Sequence, residues 1–398
     1  MKVARKRIFT LLAVIGLIIP SFAQITTDQL SGKINTVTSS VPFLTITPES
    51  RSGGMGDVGV ALSPDANSMH WNPAKYAFVP NDLGVSISYT PWLRRLGIDD
   101  INLAYLAGYK RLDKNQTIGF SLRYFSLGSI TFTDVTGNTI TSFNPNEFAI
   151  DGAYARAFSD KFAGSLAFRF IYSNLTGGIP VDGTESHAGT AFASDVSIFY
   201  RNDELRISDY DATFAFGVNL SNIGSKISYS KASDKDFIPI NLRIGAAYTV
   251  DFDDYNSLTA AFDLNKLLIP TPPEYYKDSV DLEGDPVIEF GYDPNVSVPV
   301  GMFRSFYDAP GGFVEELHEL TYSAGLEYWY AKQFAVRGGL FLEHNTKGAR
   351  KYFTVGIGLR LNVFGLDFSY LVPFYQENPL SNTLRFSLLF DFAGLKGK

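Results

Sequence analysis

Near the end of the chain, Leu384, Phe386, Leu388, Phe390 and Phe392 alternate with Arg385, Ser387, Leu389 and Asp391. One face of that stretch is apolar and aromatic, and the other carries two opposite charges. A period of two is the mark of extended chain, whose successive side chains point to opposite faces. Segments of the same character, each of the about 9–11 residues that a tilted membrane strand requires, lie near 83–90, 100–110, 117–127, 147–158, 161–172, 191–200 and 210–220. They continue near 238–250, 256–265, 319–330, 333–343, 351–361, 364–372 and 383–392. These fourteen are an even number, and charges recur on the face that a soluble sandwich would turn into its core. The pattern predicts an all-β fold, a transmembrane antiparallel β-barrel of about 14 strands with lipid outside and a polar lumen.

The connections test this independently, because such barrels alternate long external loops with short periplasmic turns. With the first strand running outward, the external connections are 91–99, 128–146, 173–190, 221–237, 266–318, 344–350 and 373–382. The periplasmic ones are 111–116, 159–160, 201–209, 251–255, 331–332 and 362–363. Long connections fall in the first set, except that 344–350 is shorter than 201–209.

Composition narrows the setting. Residues 1–23 read as a signal peptide: Lys2, Arg5, Lys6 and Arg7, then the apolar run Ile8 to Ile19, then Ser21-Phe22-Ala23 as a small-x-small cleavage site. No later apolar run approaches the about 18 residues of a membrane helix. The chain has 398 residues, 15% of them aromatic, no cysteine and a formal charge of −7. Without cysteine there is no disulfide and no lipoprotein anchor. The mild acidity and the lack of a basic, aromatic-interleaved cluster exclude nucleic acid as a partner.

The lipid face is expected to carry Ile118, Phe120, Leu122 and Tyr124 on the third strand and Leu166, Phe168, Phe170 and Tyr172 on the fifth. On the twelfth it carries Phe353, Val355, Ile357, Leu359 and Leu361. Tyr89, Trp92, Tyr109, Tyr200, Tyr248, Tyr328 and Tyr330 sit near strand ends, as interfacial girdles do. The lumen face offers Arg123, Asp151, Arg169, Asp195, Asn219, Arg243, Asp263, Glu327, Arg337, Arg360, Asp367 and Arg385. Their signs mostly alternate from strand to strand, which suits a belt of salt bridges holding the barrel's shape. An ion-selective pore would show one dominant sign instead.

Residues 24–82 are not strand-like. Pro48-Glu49-Ser50-Arg51-Ser52-Gly53-Gly54-Met55-Gly56 is glycine-rich, and Ser63-Pro64-Asp65 reads as an N-cap with proline at the first helical position. Pro73 disfavours helix at Asn72. The segment is expected to fold as a plug in the periplasmic mouth; a flexible tail is the alternative, though it would not be expected to carry Met69, Trp71, Tyr76 and Phe78 so close together. Gly53, Gly54, Gly56, Asn72 and Pro73 are its motif residues. No Gly-Lys-Ser/Thr follows the glycines, so this is not a phosphate loop.

The run Arg51 to Ala61, then Asp65-Ala66-Asn67-Ser68-Met69-His70-Trp71-Asn72-Pro73-Ala74, resembles the N-terminal signature of the FadL outer-membrane family. Within it the chain, including Thr90-Pro91-Trp92-Leu93, is similar to the PorV branch (also called LptO) of the Bacteroidetes type IX secretion system. That resemblance implies a fourteen-stranded barrel with an N-terminal plug, residing in the cell outer membrane. It implies protein export: binding a giant outer-membrane translocon barrel, collecting secreted cargo through its C-terminal signal domain, and passing it to surface attachment proteins amid membrane lipid and lipopolysaccharide. It implies no cofactor.

Cargo emerging outside would meet the external loops. The 266–318 connection stands out for its length, with Tyr275, Tyr276, Met302, Phe303, Phe306 and Tyr307 as candidate partner residues, joined by Trp92 in the first loop. A lid folded over the barrel is the alternative reading of that loop. The alternative function is transport of hydrophobic small molecules, for which Arg94 and Arg95 could sit beside an apolar pocket. Catalysis has little to rest on: His70, His187, His318 and His344 lack metal-ligand spacing, with His318 read at a strand start, and there is no Gly-x-Ser-x-Gly elbow. The barrel is expected at 83–392, ending on the aromatic Phe392, with 393–398 as a tail. Fourteen strands filled by side chains and a plug are too narrow to pass folded cargo.

Overall fold

A computed structural model describes residues 34–94, 97–98, 100–133, 136–180, 185–230, 235–281, 284–375, 380 and 383–392. The expected signal peptide, the tail 393–398 and Arg95 lie outside the described residues. Fourteen antiparallel strands close into a barrel. They are β1 (Leu83–Pro91), β2 (Ile101–Arg111), β3 (Gln116–Leu127), β6 (Asn146–Ala157), β7 (Phe162–Asn174), β8 (Gly189–Ile207), β9 (Tyr210–Gly224), β10 (Asn241–Asp251), β11 (Asn256–Leu267), β14 (Thr321–Tyr330), β15 (Phe334–Leu342), β16 (Lys351–Leu361), β17 (Phe364–Pro373) and β18 (Leu384–Phe392). β1 pairs with β18 from Leu83↔Phe392 to Tyr89↔Phe386, so no edge is left open. The intervening β4 (Ile130–Thr133) and β5 (Thr139–Phe143) form one loop hairpin, and β12 (Glu274–Val280) and β13 (Pro286–Phe290) another.

Alternation places the faces as the side-chain pattern predicts. Ile118, Phe120, Leu122 and Tyr124 on β3, and Phe353, Val355, Ile357, Leu359 and Leu361 on β16, are exposed on the outer face, while Arg123 and Thr354 between them are buried. Two expected girdle residues depart from this. Tyr109 is inward and 1% exposed because it shares the face of Tyr105 and Leu103, and Trp92 packs against an interior apolar cluster. The stretch 201–209 is not a loose turn: β8 and β9 extend as a hairpin as far as Ile207↔Tyr210, with irregular pairing between Asn202 and Leu205. No helix among the described residues is long and apolar enough to cross a membrane.

The segment ahead of β1 runs through the bore and is not confined to one mouth. The Asn35 amide donates to the Thr346 carbonyl at the long-loop end, 3.0 Å away. At the other end the Arg111 amide of β2 donates to Asp82, immediately before β1 starts. In between, the barrel wall makes room. Ala153, Ala155, Ala163, Ala167, Ala215, Ala247 and Ala261 are buried, facing Met55, Val58, Leu62, Met69 and Tyr76 of the segment. Small wall residues opposite large plug residues give the interdigitation that close packing requires. Nearer the long-loop end, Val41, Phe43 and Leu44 pack on Leu103, Phe125, Ile171 and Ile240. The segment itself is mostly irregular, with short helices at α1 (Ser50–Gly53) and α2 (Ser68–Trp71). Ser63-Pro64-Asp65 does not begin a helix. Arg51 takes the Ser63 hydroxyl and the Asp65 carboxylate as acceptors instead, at 2.7 and 2.9 Å, and helix waits until Ser68.

Candidate functional site in the barrel bore

Two charge networks and a socket line the bore. In the first network, Glu327 of β14 accepts from Arg337 Nε at 2.7 Å and from Arg51 Nη2 of the inner segment at 2.8 Å. Arg337 Nη1 also donates to Asp367 of β17 at 2.7 Å, and Asp367 accepts Arg360 Nη2 at 2.6 Å. Arg337 and Asp367 are two strands apart, so the contact crosses β16 above Gly358. A Cβ there would lie 2.6 Å from Asp367 Oδ1 and 2.7 Å from Arg337 Nη1, which explains the glycine. In the second network, Arg169 of β7 joins Asp151 of β6 to Asp195 of β8, with Asn222 completing its donors. Arg169 thus pairs with carboxylates on both neighbouring strands, whereas Arg337 and Asp367 pair across an intervening one.

The remaining belt residues serve the inner segment. Asp263 accepts the Gly59 and Val60 amides at 2.7 and 3.0 Å. Arg243 donates to the His70 carbonyl at 2.7 Å and lies over the Trp71 ring. Arg123 donates to the Leu44 carbonyl at 2.7 Å and contacts His70 Nδ1 at 2.6 Å. Asn219 donates to the Trp71 carbonyl at 3.0 Å. Buried backbone groups of an irregular segment must be satisfied by something, and here the wall side chains do it. Arg385, 2% exposed, has Asp57 as its carboxylate neighbour among the described residues, at 3.8 Å.

The motif residues all lie in this socket. Gly56 has φ 74° and sits against the Leu340 backbone, where a Cβ would lie 2.4 Å from the amide nitrogen. Gly53 faces Arg385 and Gly54 the Gly356 backbone. Asn72, extended at φ −164°, caps the 3-10 helix Pro73–Phe78 by accepting the Ala74 amide, and donates to the Ile198 carbonyl of β8 at 2.9 Å. Sequence reasoning did not single out Glu49, Arg51 or Lys75 as site residues. Glu49 accepts from Trp71 Nε1 at 3.0 Å, and Lys75 donates to the Gly59 carbonyl at 2.7 Å. Their signal was the presence of full charges within a segment whose aromatic and small residues mark it as buried.

Among the described residues of the 266–318 connection, the β12–β13 hairpin is followed by α3 (Val298–Arg304) and α4 (Phe313–His318). Lys266 donates to Glu316 and Glu319 at 2.9 and 2.7 Å, and Lys347 to Glu315 and Glu319 at 2.6 and 3.0 Å. These pairs clamp α4 to the barrel rim. Burial, reinforced by the Glu316 and Glu319 carboxylates, pushes the Asp308 carboxyl up to about 6. His318 ends α4 and not a strand, because the chain turns there to enter β14; its ring stacks on His344 at 3.5 Å. Of the candidate partner residues, Tyr275, Tyr276, Phe303, Phe306 and Tyr307 are exposed. Met302 and Trp92 instead pack against the interior cluster around Phe237 and Ile240. Among the described residues no group of three or more His, Cys, Asp and Glu side chains could hold a metal ion.

The family model described as "Type IX secretion system protein PorV" matches residues 29–274, well over half of the chain. The chain belongs to the PorV family. It is accordingly an outer-membrane β-barrel and a component of the type IX secretion system. The match spans the inner segment, both halves of the Asp151–Arg169–Asp195 network and the strands to β11, and ends at the start of the β12 hairpin. No curated protein matches the sequence. Among solved structures, the Ralstonia pickettii toluene transporter TbuX is similar at 10% identity and TM-score 0.43, covering 86% of this chain and 98% of that one. The P. putida toluene transporter TodX matches at 10% identity and TM-score 0.46 (88% and 100% covered), and a Pseudomonas aeruginosa FadL homologue at 10% and 0.42 (90% and 99%). In this PorV-family barrel the inner segment packs the middle of the bore, and outside the strands the clamped 266–318 connection also carries exposed aromatic residues.

Proposed function

We propose that this PorV-family chain binds the secretion translocon, receives secreted cargo through its C-terminal signal domain, and delivers it to the surface attachment machinery. The observation that carries the reading is the 266–318 connection. It is too ordered and too well anchored to be a tether, yet it turns Phe303, Phe306, Tyr307 and Phe313 outward, with Phe303 74% and Phe313 75% exposed. Aromatic residues held rigidly in water mark a protein partner surface. The family supplies the system in which that partner is found.

Deleting residues 285–310 and isolating the tagged protein from solubilised outer membranes tests this. Loss of a very large barrel protein, or of secreted proteins sharing a C-terminal domain, from the co-isolated set is the expected result. Undiminished recovery of both would remove the loop from the reading. Movement of hydrophobic molecules through the bore is disfavoured by the buried segment 49–79, whose packing leaves Met55, Val58, Val60 and Met69 with no exposed surface.

A further inference from the structure

The short-turn rim of such a barrel faces the periplasm, and one sector of it is built unlike the rest. β8 runs for 19 residues and β9 for 15, against 9 to 13 for the other barrel strands. β7 leaves β8 at Phe162↔Tyr200, and the Arg201 amide makes the last contact, donating to the Lys161 carbonyl at 2.8 Å. Beyond it, residues 202–207 keep β9 on one side and have no strand on the other among the described residues. At about 3.3 Å per residue this open edge is about 20 Å long. An edge of this kind presents amides and carbonyls to which a further strand can pair.

The edge is braced and has an apolar flank. The Tyr210 ring, at the end of the hairpin, packs on Phe252 of the β10–β11 turn, with centroids 5.5 Å apart and planes at 79°. Ile207 is 48% exposed, Tyr210 38% and Tyr255 of the same turn 62%.

Charge selects what can pair with it. Asp203, Glu204, Asp209, Asp211, Asp251, Asp253 and Asp254 are exposed on the hairpin and the turn beside it, against Arg201 and Arg206. Those two arginines are taken by Asp203 and Asp211, at 2.6 and 3.1 Å, and Lys161 of the preceding turn by Glu204. The rim from β1 to β6 leans the other way, with Lys110, Arg111, Lys114 and Arg156 against Asp82 and Asp113. A second copy of this chain would set Asp203 and Glu204 against their own kind, which destabilises a strand pair, whereas a basic strand gains at the same positions.

We propose that the open edge of β8 at residues 202–207 docks a basic, extended segment of a periplasmic protein, added to the hairpin as a further strand. The backbone supplies the pairing, Ile207, Tyr210 and Tyr255 the apolar contact, and the carboxylates the choice of partner. The site lies across the membrane from the 266–318 connection, so it stands independently of the cargo-binding role of that loop.

The full-length protein in detergent, at physiological ionic strength, is titrated by fluorescence anisotropy with three labelled peptides as long as the edge. One alternates lysine with valine, the second is the same peptide methylated at every backbone amide, and the third carries glutamate in place of lysine. The lysine peptide is expected to bind saturably and at least tenfold tighter than either of the others. Asp203→Lys combined with Glu204→Lys, both exposed and outside the barrel wall, should weaken it at least tenfold. Equal binding of the methylated peptide reduces the effect to bulk charge attraction and overturns the proposal. Undiminished binding to the double variant places the peptide elsewhere and overturns it too, as does a lysine peptide that fails to saturate.

Discussion

Arg337 and Arg385 stand on the same wall, both almost wholly buried, and their surroundings could hardly differ more. Arg337 is held by Glu327 and Asp367, each of which is also bound to a second arginine, Arg51 or Arg360. Arg385 has one loose carboxylate neighbour, Asp57, among the described residues. A charge held by two shared carboxylates contributes to shape, because removing any member weakens the hold on the others. A charge held loosely contributes little to shape. Burial of charge in the bore is thus a poor guide to role until the partners are counted.

The largest effect should come from breaking the closed network. Glu327→Gln takes from Arg51 and Arg337 the carboxylate they share, leaving Arg51 only Asp65 and Arg337 only Asp367, and a cost of about 3–5 kcal/mol is expected. It would appear as a lower midpoint for urea unfolding, or a lower temperature for the heat-induced mobility shift on gels. A change no larger than that of an exposed substitution would mean the network is solvated. Next is the inner segment's tightest turn. Gly56→Ala forces a left-handed residue and a methyl against the Leu340 backbone, an expected loss of at least about 2 kcal/mol. Limited proteolysis should then open the segment 49–79 before the barrel, since the strand ladders are untouched.

How much of this could be read beforehand follows from where periodicity holds. Period two runs through all fourteen barrel strands, so Phe120, Leu166 and Ile357 on one face and Arg169, Asp367 and Arg385 on the other were placed without any structure. The inner segment has no such period. Its course is set by many single matches, such as Asn72 with Ile198 and Asp263 with Gly59, that join positions more than a hundred residues apart. Tyr109 was misplaced because an aromatic near a strand end is written alike in a girdle and in a plugged bore; only the inward parity of β2 separates them. The split between closely and loosely paired arginines was likewise invisible. Alternating signs foretold Arg169 with its two aspartates, but Arg337 reaches across a whole strand, and Arg385 meets Asp57 of the inner segment and not a carboxylate of a neighbouring strand among the described residues. The helix Phe313–His318 went unread because tertiary ion pairs from Lys266 and Lys347, not local propensity, hold it.

Arg385→Gln is the counterpart to Glu327→Gln, with a stability change expected within about 1 kcal/mol. A loss matching that of Glu327→Gln would erase the distinction between the two arginines. The smallest effect belongs to the rim, where two groups titrate in opposite senses. Asp308 has its proton affinity raised by burial, to about 6. The folded loop therefore takes up a proton before the unfolded chain does, and gains stability as pH falls from about 6 toward the ordinary carboxylate value. His344, half-buried and stacked on His318, is held below the ordinary imidazole value by that partial burial and by His318. There the unfolded chain protonates first, so stability falls as pH drops through about 6.5. The two partly cancel in the wild type, and amide protection factors across α4 should change little between pH 7 and 5.5. Asp308→Asn removes the gain, so acid should then loosen α4; His344→Gln removes the loss, so acid should then tighten it. Identical pH profiles in both variants would mean that the Lys266 and Lys347 pairs alone govern the loop, extending the fully paired behaviour of Arg337 from the bore to the rim.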